Sequence, residues 1–339
     1  MGVLPLGLAP EDSSAALAER RPRPVVAIRR YGIRTIAWVL LATIAALIPG
    51  YAPDFTGSVS VLLVFVLLGT GLSLEIGLAA VPDFAITGYF AAGAYCAAVL
   101  SRQTAWPFWA CLPLCGLVGT VLALAVAKPL VRRKAPVFAI VTLAFSAIVQ
   151  IVLTTWNGVT GGPAGLRLPP ISHRELYYNI LLAIVLFAGV VAWRLRCMPI
   201  ALALRAAHDD EIGCRGIGIN PAALKLSVIA IAGAMAGLAG AFYAAALGTV
   251  RPPAFDLSTM ATLFALVLLG GTRTQLRLCI AALLVVGLPF AVPFIAEYRL
   301  LIFGIGIALW PLVQHCVALR LDSAERSRPI FTRLGPSAE

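Results

Sequence analysis

Long apolar runs, broken by glycine, proline and short charged clusters, set the pattern of this chain. About 20 helical residues cross a ~30 Å hydrocarbon core. The pattern predicts helices over 35–50, 58–78, 82–101, 107–127, 136–155, 177–195, 224–247, 257–271, 278–295 and 300–318. Two of them are ambiguous. The stretch 82–101 follows Pro82 and contains Gly88 and Gly93, and 257–271 is short and ends in Gly270-Gly271. Either is readable as a re-entrant element, which membranes tolerate only where protein or a cavity encloses it. The fold class is all-α: a polytopic helical membrane protein with eight to ten transmembrane or re-entrant helices.

Composition narrows the class. The chain is 60% hydrophobic and 12% charged, against roughly 25% charged in soluble domains, which excludes an ordinary soluble enzyme. Continuous apolar runs also exclude an outer-membrane barrel, whose strands alternate. A net charge of +11 fits basic cytoplasmic loops better than a nucleic-acid surface. With both termini inside, 21 of the 26 basic residues fall on the cytoplasmic side. Residues 1–34 read as a basic cytoplasmic arm, 35–318 as the membrane domain and 319–339 as a cytoplasmic tail. Seven cysteines without a CxxC pair indicate neither a disulfide framework nor a zinc site. There is no GxxxxGK[ST] loop, so this chain has no Walker cradle for ATP phosphates.

Within 224–247, Gly233, Gly237 and Gly240 offer a small-residue face for close helix packing, inside the chain or against another subunit. Glu75 and Asp83 flank Pro82. They either line a path or gate together with Tyr89, or lie at the cytoplasmic interface. The loop Thr160-Gly161-Gly162 is expected outside, as a partner contact or simply a turn. The connection from Met198 to Pro221 places Leu202, Arg205, Asp209 and Ile212 at helical spacing and ends in Gly216, Gly218 and Pro221. It predicts a cytoplasmic helix over about 199–217 that bears three adjacent acids, Asp209, Asp210 and Glu211.

The run ALRAAHDDEIGCRGIGIN, followed by Ala223-Leu224-Lys225-Leu226, resembles the coupling segment of ABC-type permeases for branched-chain amino acids, M-type membrane subunit. AIVTLAFSAIVQIVL at 139–153, TGGPAGL at 160–166, AMAGLAGAFY at 234–243, Leu268-Leu269-Gly270-Gly271 and Tyr298-Arg299-Leu300-Leu301 correspond in order. The resemblance implies an ATP-driven importer of branched-chain or other small amino acids, or related amides, in the bacterial cytoplasmic (inner) membrane. It places Arg205, Asp209, Asp210, Glu211, Ile212 and Gly218 at the contact with two ATPase subunits, which bind ATP and Mg; no cofactor is expected on this chain. A second, unlike permease and an extracytoplasmic binding protein complete the system, and Thr160, Gly161 and Gly162 become the candidate contact with that protein. Where the family usually continues after Gly77-Leu78-Ala79 with Gly and a Ser-Leu-Gly-His/Gln-Ala type run, this chain has Ala80-Val81-Pro82-Asp83-Phe84-Ala85. The change points to a divergent member and leaves its choice among branched-chain and other small amino acids open. The alternative class is a stand-alone secondary transporter or channel, for which Glu75 and Asp83 are the candidate coupling acids.

Overall fold

Apolar run length translates directly into helices. The computed structural model describes residues 56–287, apart from 104–106, 134, 170–173 and 273. The arm, the tail, segments 35–50 and 300–318 and the end of 278–295 lie outside the described residues. Helix α1 (Thr56–Leu74) runs into a π-turn (Glu75–Ala79), and α2 (Ile86–Gln103), α3 (Phe108–Leu130) and α4 (Ala135–Thr155) follow. A one-turn α5 (Asn157–Thr160) leads to strand β1 (Leu166–Arg167) and then α6 (Arg174–Cys197). Two short helices, α7 (Pro199–Asp209) and α8 (Glu211–Gly216), precede α9 (Pro221–Leu247). Strand β2 (Thr249–Val250), α10 (Leu257–Gly270) and α11 (Gln275–Ala282) complete the described chain. Six helical stretches among the described residues are long and apolar enough to cross a membrane, so the chain is a multi-pass helical membrane protein.

The bundle has two distinguishable ends. At one end β1 pairs antiparallel with β2, in the register Leu166 to Val250 and Arg167 to Thr249. The Leu168 N–H extends this ladder to the Gly248 carbonyl at 2.9 Å. Phe90, Tyr243 and Phe255 cluster below it, with Phe90–Phe255 and Phe90–Tyr243 centroids 5.0 and 5.2 Å apart, an edge-to-face geometry that aromatic pairs favour. At the other end α7 packs on the π-turn. The ladder joins two loops expected outside, and the α7 contact joins two segments expected inside.

Both ambiguous segments connect these ends. Helix α2 leaves the turn after Ala79 and reaches β1 and β2. Its 18 residues extend about 27 Å. It is less apolar than its neighbours because its neighbours are protein: Thr87, Gly88, Tyr89 and Gly93 are all buried. Helix α10 starts beside β2, after a 3₁₀ turn (Pro252–Phe255), and leads to Thr272, whose Cβ lies 2.8 Å from where a Gly77 β-carbon would sit. Of the two, only the second is among the stretches long and apolar enough to cross a membrane.

Helix α9 is the axis around which α1, α2 and α3 pack. Gly233 and Gly237 face Gly119 and Cys115 of α3, and Gly240 meets Phe90 and Ala94 of α2. The small-residue face is used inside the chain. Lipid tails are as apolar as leucine, so close backbone approach and dispersion hold such helices together.

The π-turn ends at Ala80, whose φ of 53° is left-handed. Such a conformation costs a non-glycine residue roughly 1–2 kcal/mol. Ala80→Gly is therefore expected to raise stability by about 0.5–1 kcal/mol after the entropy of glycine is charged against it. Thermal unfolding of the detergent-purified protein reads the shift; a lower midpoint would contradict it.

Candidate functional site

Two features lie at the α7 end: a buried polar group around the π-turn and an exposed helical segment packed against it. Helix α1 carries the first. Thr70 Oγ1 donates to the Val66 carbonyl at 2.7 Å and Ser73 Oγ to the Thr70 carbonyl at 2.8 Å. Such back-bonding satisfies hydroxyls that hydrocarbon cannot. Gln275, at the start of α11, donates its Nε2 to Thr70 Oγ1. Arg196, in the last turn of α6, donates Nη2 to Ser73 Oγ at 2.8 Å.

Just beyond Ser73, the π-turn carries Glu75 into the interior. π-turns insert an extra residue and recur at functional sites. Glu75, Asp83 and Tyr89 are all fully buried. Asp83 Oδ1 accepts from the Ala85 N–H at 2.7 Å, and Oδ2 accepts from the Tyr89 hydroxyl at 3.3 Å. Phe84 stacks on Phe264 of α10 with centroids 4.4 Å apart, and its N–H donates to Thr142 Oγ1 of α4 at 3.2 Å. Thr87 and Ser146 share a hydrogen bond of 2.6 Å beside them. The three expected path residues are thus brought together. Both acids sit toward the α7 end and are enclosed by protein.

The second feature is two helices, not the single one expected over 199–217. Asp210 breaks the run in an extended conformation, φ −145°, ψ 98°. Its Oδ1 accepts the Gly213 N–H at 2.9 Å. This is an N-cap, and a side-chain cap competes well with one more helical residue. Glu211 pairs with Arg215 at 2.8 Å across one helical turn. Both side chains are largely solvated, where such a pair contributes little. Asp209 closes α7, Ile212 lies in α8, and Gly218 is exposed with φ 82°. Ala201, Leu204 and Ala207 form the inward face of α7, while Arg205 is exposed and Leu202 is 71% exposed. Ile217 beyond α8 is 75% exposed.

At the ladder end Thr160, Gly161 and Gly162 form a tightly bonded loop. Thr160 is buried; its hydroxyl donates to the carbonyls of Leu153 and Trp156 and accepts from the Gly162 N–H. Gly161 and Gly162 both have positive φ, and a β-carbon on Gly162 would collide with the Asn157 side chain. Trp156, Asn157, Gly158, Arg167 and Arg251 are exposed at the same end.

Sequence reasoning missed Arg196, Ser73, Thr70, Gln275 and Thr142. Arg196 carried a signal, a guanidinium within the last turn of an apolar helix, but a cytoplasmic charge count absorbs it.

The chain matches the family model described as branched-chain amino acid transport system / permease component over residues 55–309. It is 34% identical over 274 residues to the high-affinity branched-chain amino acid transport system permease protein LivM of Salmonella typhimurium. It is 31% identical over 273 residues to the protein of the same name from Escherichia coli. Each alignment covers 71% of this chain and 64% of the relative, so the match spans under two thirds of those relatives' length. A probable branched-chain amino acid transport permease protein LivH of Methanocaldococcus jannaschii is 26% identical over 61% of this chain and 70% of its own. No solved structure matches. With helical crossings running through the matched region, the chain belongs to the branched-chain amino acid transport permease family.

Proposed function

We propose that the chain is a transmembrane permease subunit of an ATP-driven importer in a bacterial inner membrane. It moves branched-chain or other small amino acids, or related amides, inward by alternating access. Two ATPase subunits dock on α7 and α8, a second permease pairs with this one, and an extracytoplasmic binding protein delivers solute to the ladder end. The observation that carries the reading is the position of α7. Its outer face presents Leu202 and Arg205, and its inner face rests on the π-turn that holds Glu75. A rigid displacement of α7 therefore acts directly on the turn beside the buried acids.

Leu202→Asp combined with Arg205→Glu changes only the outer face. The double variant is expected to insert and fold normally, yet to lose ATPase co-purification and to cut ATP-dependent leucine uptake at least about tenfold. Undiminished co-purification would contradict docking at this face. Asp210 is a poorer test, because removing it also removes the cap of α8. Uptake by the chain reconstituted without any ATPase would establish the stand-alone transporter instead.

A further inference from the structure

The β-ladder carries two arginines on one face. Strand alternation sorts its side chains into an inner and an outer set. Leu166, Leu168 and Val250 are buried and face the bundle, where the strands contact α2 and α9. Arg167 and Arg251 are exposed on the opposite face. Arg251 follows Val250 in extended backbone, φ −124°, ψ 141°. A β-carbon on Gly165 would lie 3.1 Å from the Arg251 Cα. The register of Leu166 with Val250 therefore continues to Gly165 with Arg251. Arg167, opposite Thr249, is then the diagonal neighbour of Arg251. Diagonal neighbours in an antiparallel pair stand about 7–8 Å apart.

Two guanidiniums so placed repel each other and await an anion. The one ion pair among the described residues joins Arg215 to Glu211, at the α7 end. Asp256, close to the ladder, is committed to α10: its Oδ1 accepts from the Ser258 hydroxyl at 2.6 Å and from the Thr259 N–H at 3.0 Å. The backbone beneath the arginines is fixed in advance. Gly165 has φ 73°, and a β-carbon there would collide with the Val250 carbonyl oxygen. A site set in place before binding loses less freedom on binding. A guanidinium fork matches a carboxylate or a phosphate through two parallel hydrogen bonds.

Lipid headgroups and acidic protein side chains both offer such oxygens. The position of the ladder favours protein. Strand β2 follows directly on α9, the helix around which α1, α2 and α3 pack, so the arginines sit over the centre of that packing and face away from it. Headgroups ring a bundle at its perimeter, whereas a docked protein reaches its centre. We propose that Arg167 and Arg251 form a paired carboxylate receptor, and that the partner docking on the ladder is a protein presenting two acidic side chains at matching separation. The inference rests on the reading that a binding protein meets this end, and it names the contact that seats that protein.

The test uses the assembled membrane complex in nanodiscs. The probe is a leucine-binding protein isolated from the same cells on immobilised leucine. Arg167→Glu combined with Arg251→Glu is expected to weaken probe binding at least about tenfold and to remove most of its salt dependence. Arg102→Glu, exposed at the same end but outside the ladder, should change binding by less than about twofold. Basal ATP hydrolysis without the probe should be unchanged in both variants, which reports correct assembly. Undiminished binding by the double variant overturns the proposal. An equal loss in Arg102→Glu also overturns it, because a general charge effect then replaces a paired receptor. Phosphatidylglycerol retained by the wild type and lost by the double variant, with probe binding unchanged, assigns the arginines to lipid and overturns it as well. A wild-type complex that does not bind the probe at all refutes the binding-protein reading itself, and the receptor with it.

Discussion

Gly237→Leu is expected to yield no folded protein. A β-carbon at Gly237 would lie inside contact distance of the Cys115 carbonyl oxygen, and the Gly119 Cα is 3.2 Å away. From the other side, a β-carbon at Gly93 would meet the Gly237 Cα at 2.6 Å. The obstacles to a Gly237 side chain are backbone atoms of α3, so no rotamer change relieves the clash. Ordinary overpacking costs roughly 1–3 kcal/mol where side chains can move; here two helix axes must separate along the central packing of the bundle. A side chain there forfeits the close contact that replaces the hydrophobic effect within a bilayer. Gly158→Ala is the matched control. Nothing lies within 4 Å of its β-carbon position, so its effect should stay within about 0.5 kcal/mol. Size-exclusion profiles of the two variants check the contrast, and a monodisperse Gly237→Leu protein would refute it.

Arg196→Ala is the second large expected effect, and under the proposed importer function it falls on coupling. Arg196 sits three residues before Pro199, which opens α7, and its guanidinium holds Ser73, two residues before Glu75. Removing one partner of a charged hydrogen bond in a part-buried site costs about 1.5–3 kcal/mol. Most of the bundle does not depend on this contact, so the protein should still assemble. Motion of α7 would then reach the π-turn through packing alone. Solute uptake per ATP hydrolysed is expected to fall about tenfold, with Arg196→Lys recovering part of the loss. A double-mutant cycle with Ser73→Ala separates this from simple damage: the two effects should overlap rather than add. If uptake and hydrolysis fall in proportion, Arg196 is only a structural brace.

Membrane segments were legible because apolar run length measures helix length. The stretch predicted over 136–155 is observed as Ala135–Thr155, and 177–195 as Arg174–Cys197. The glycine face of α9 was legible too, although the sequence left its partner open. Burial by protein was not legible. Glu75 and Asp83 lie near a chain break, and hydropathy cannot distinguish lipid, water and a neighbouring helix as surroundings. The π-turn has no residue signature, and Ala80 conceals its left-handed backbone where glycine would have announced it. The break at Asp210 did carry a signal, Asp three residues before Gly213, but the alanine-rich continuity of 199–209 outweighed it. The ladder of Leu166–Arg167 with Thr249–Val250 is too short for any strand pattern to register.

That ladder limits how its end of the bundle can move. Its paired residues Arg167 and Thr249 lie 82 positions apart in the chain. One strand follows α4 and α5, and the other joins α9 to α10. Two loops that would otherwise fluctuate separately are bound into one body with one set of rigid-body coordinates. Any force applied to Arg167, or to Arg251 just after β2, is shared between both halves of the described chain. Widening at this end must carry the ladder whole or break it, which favours a single hinged movement over independent loop opening.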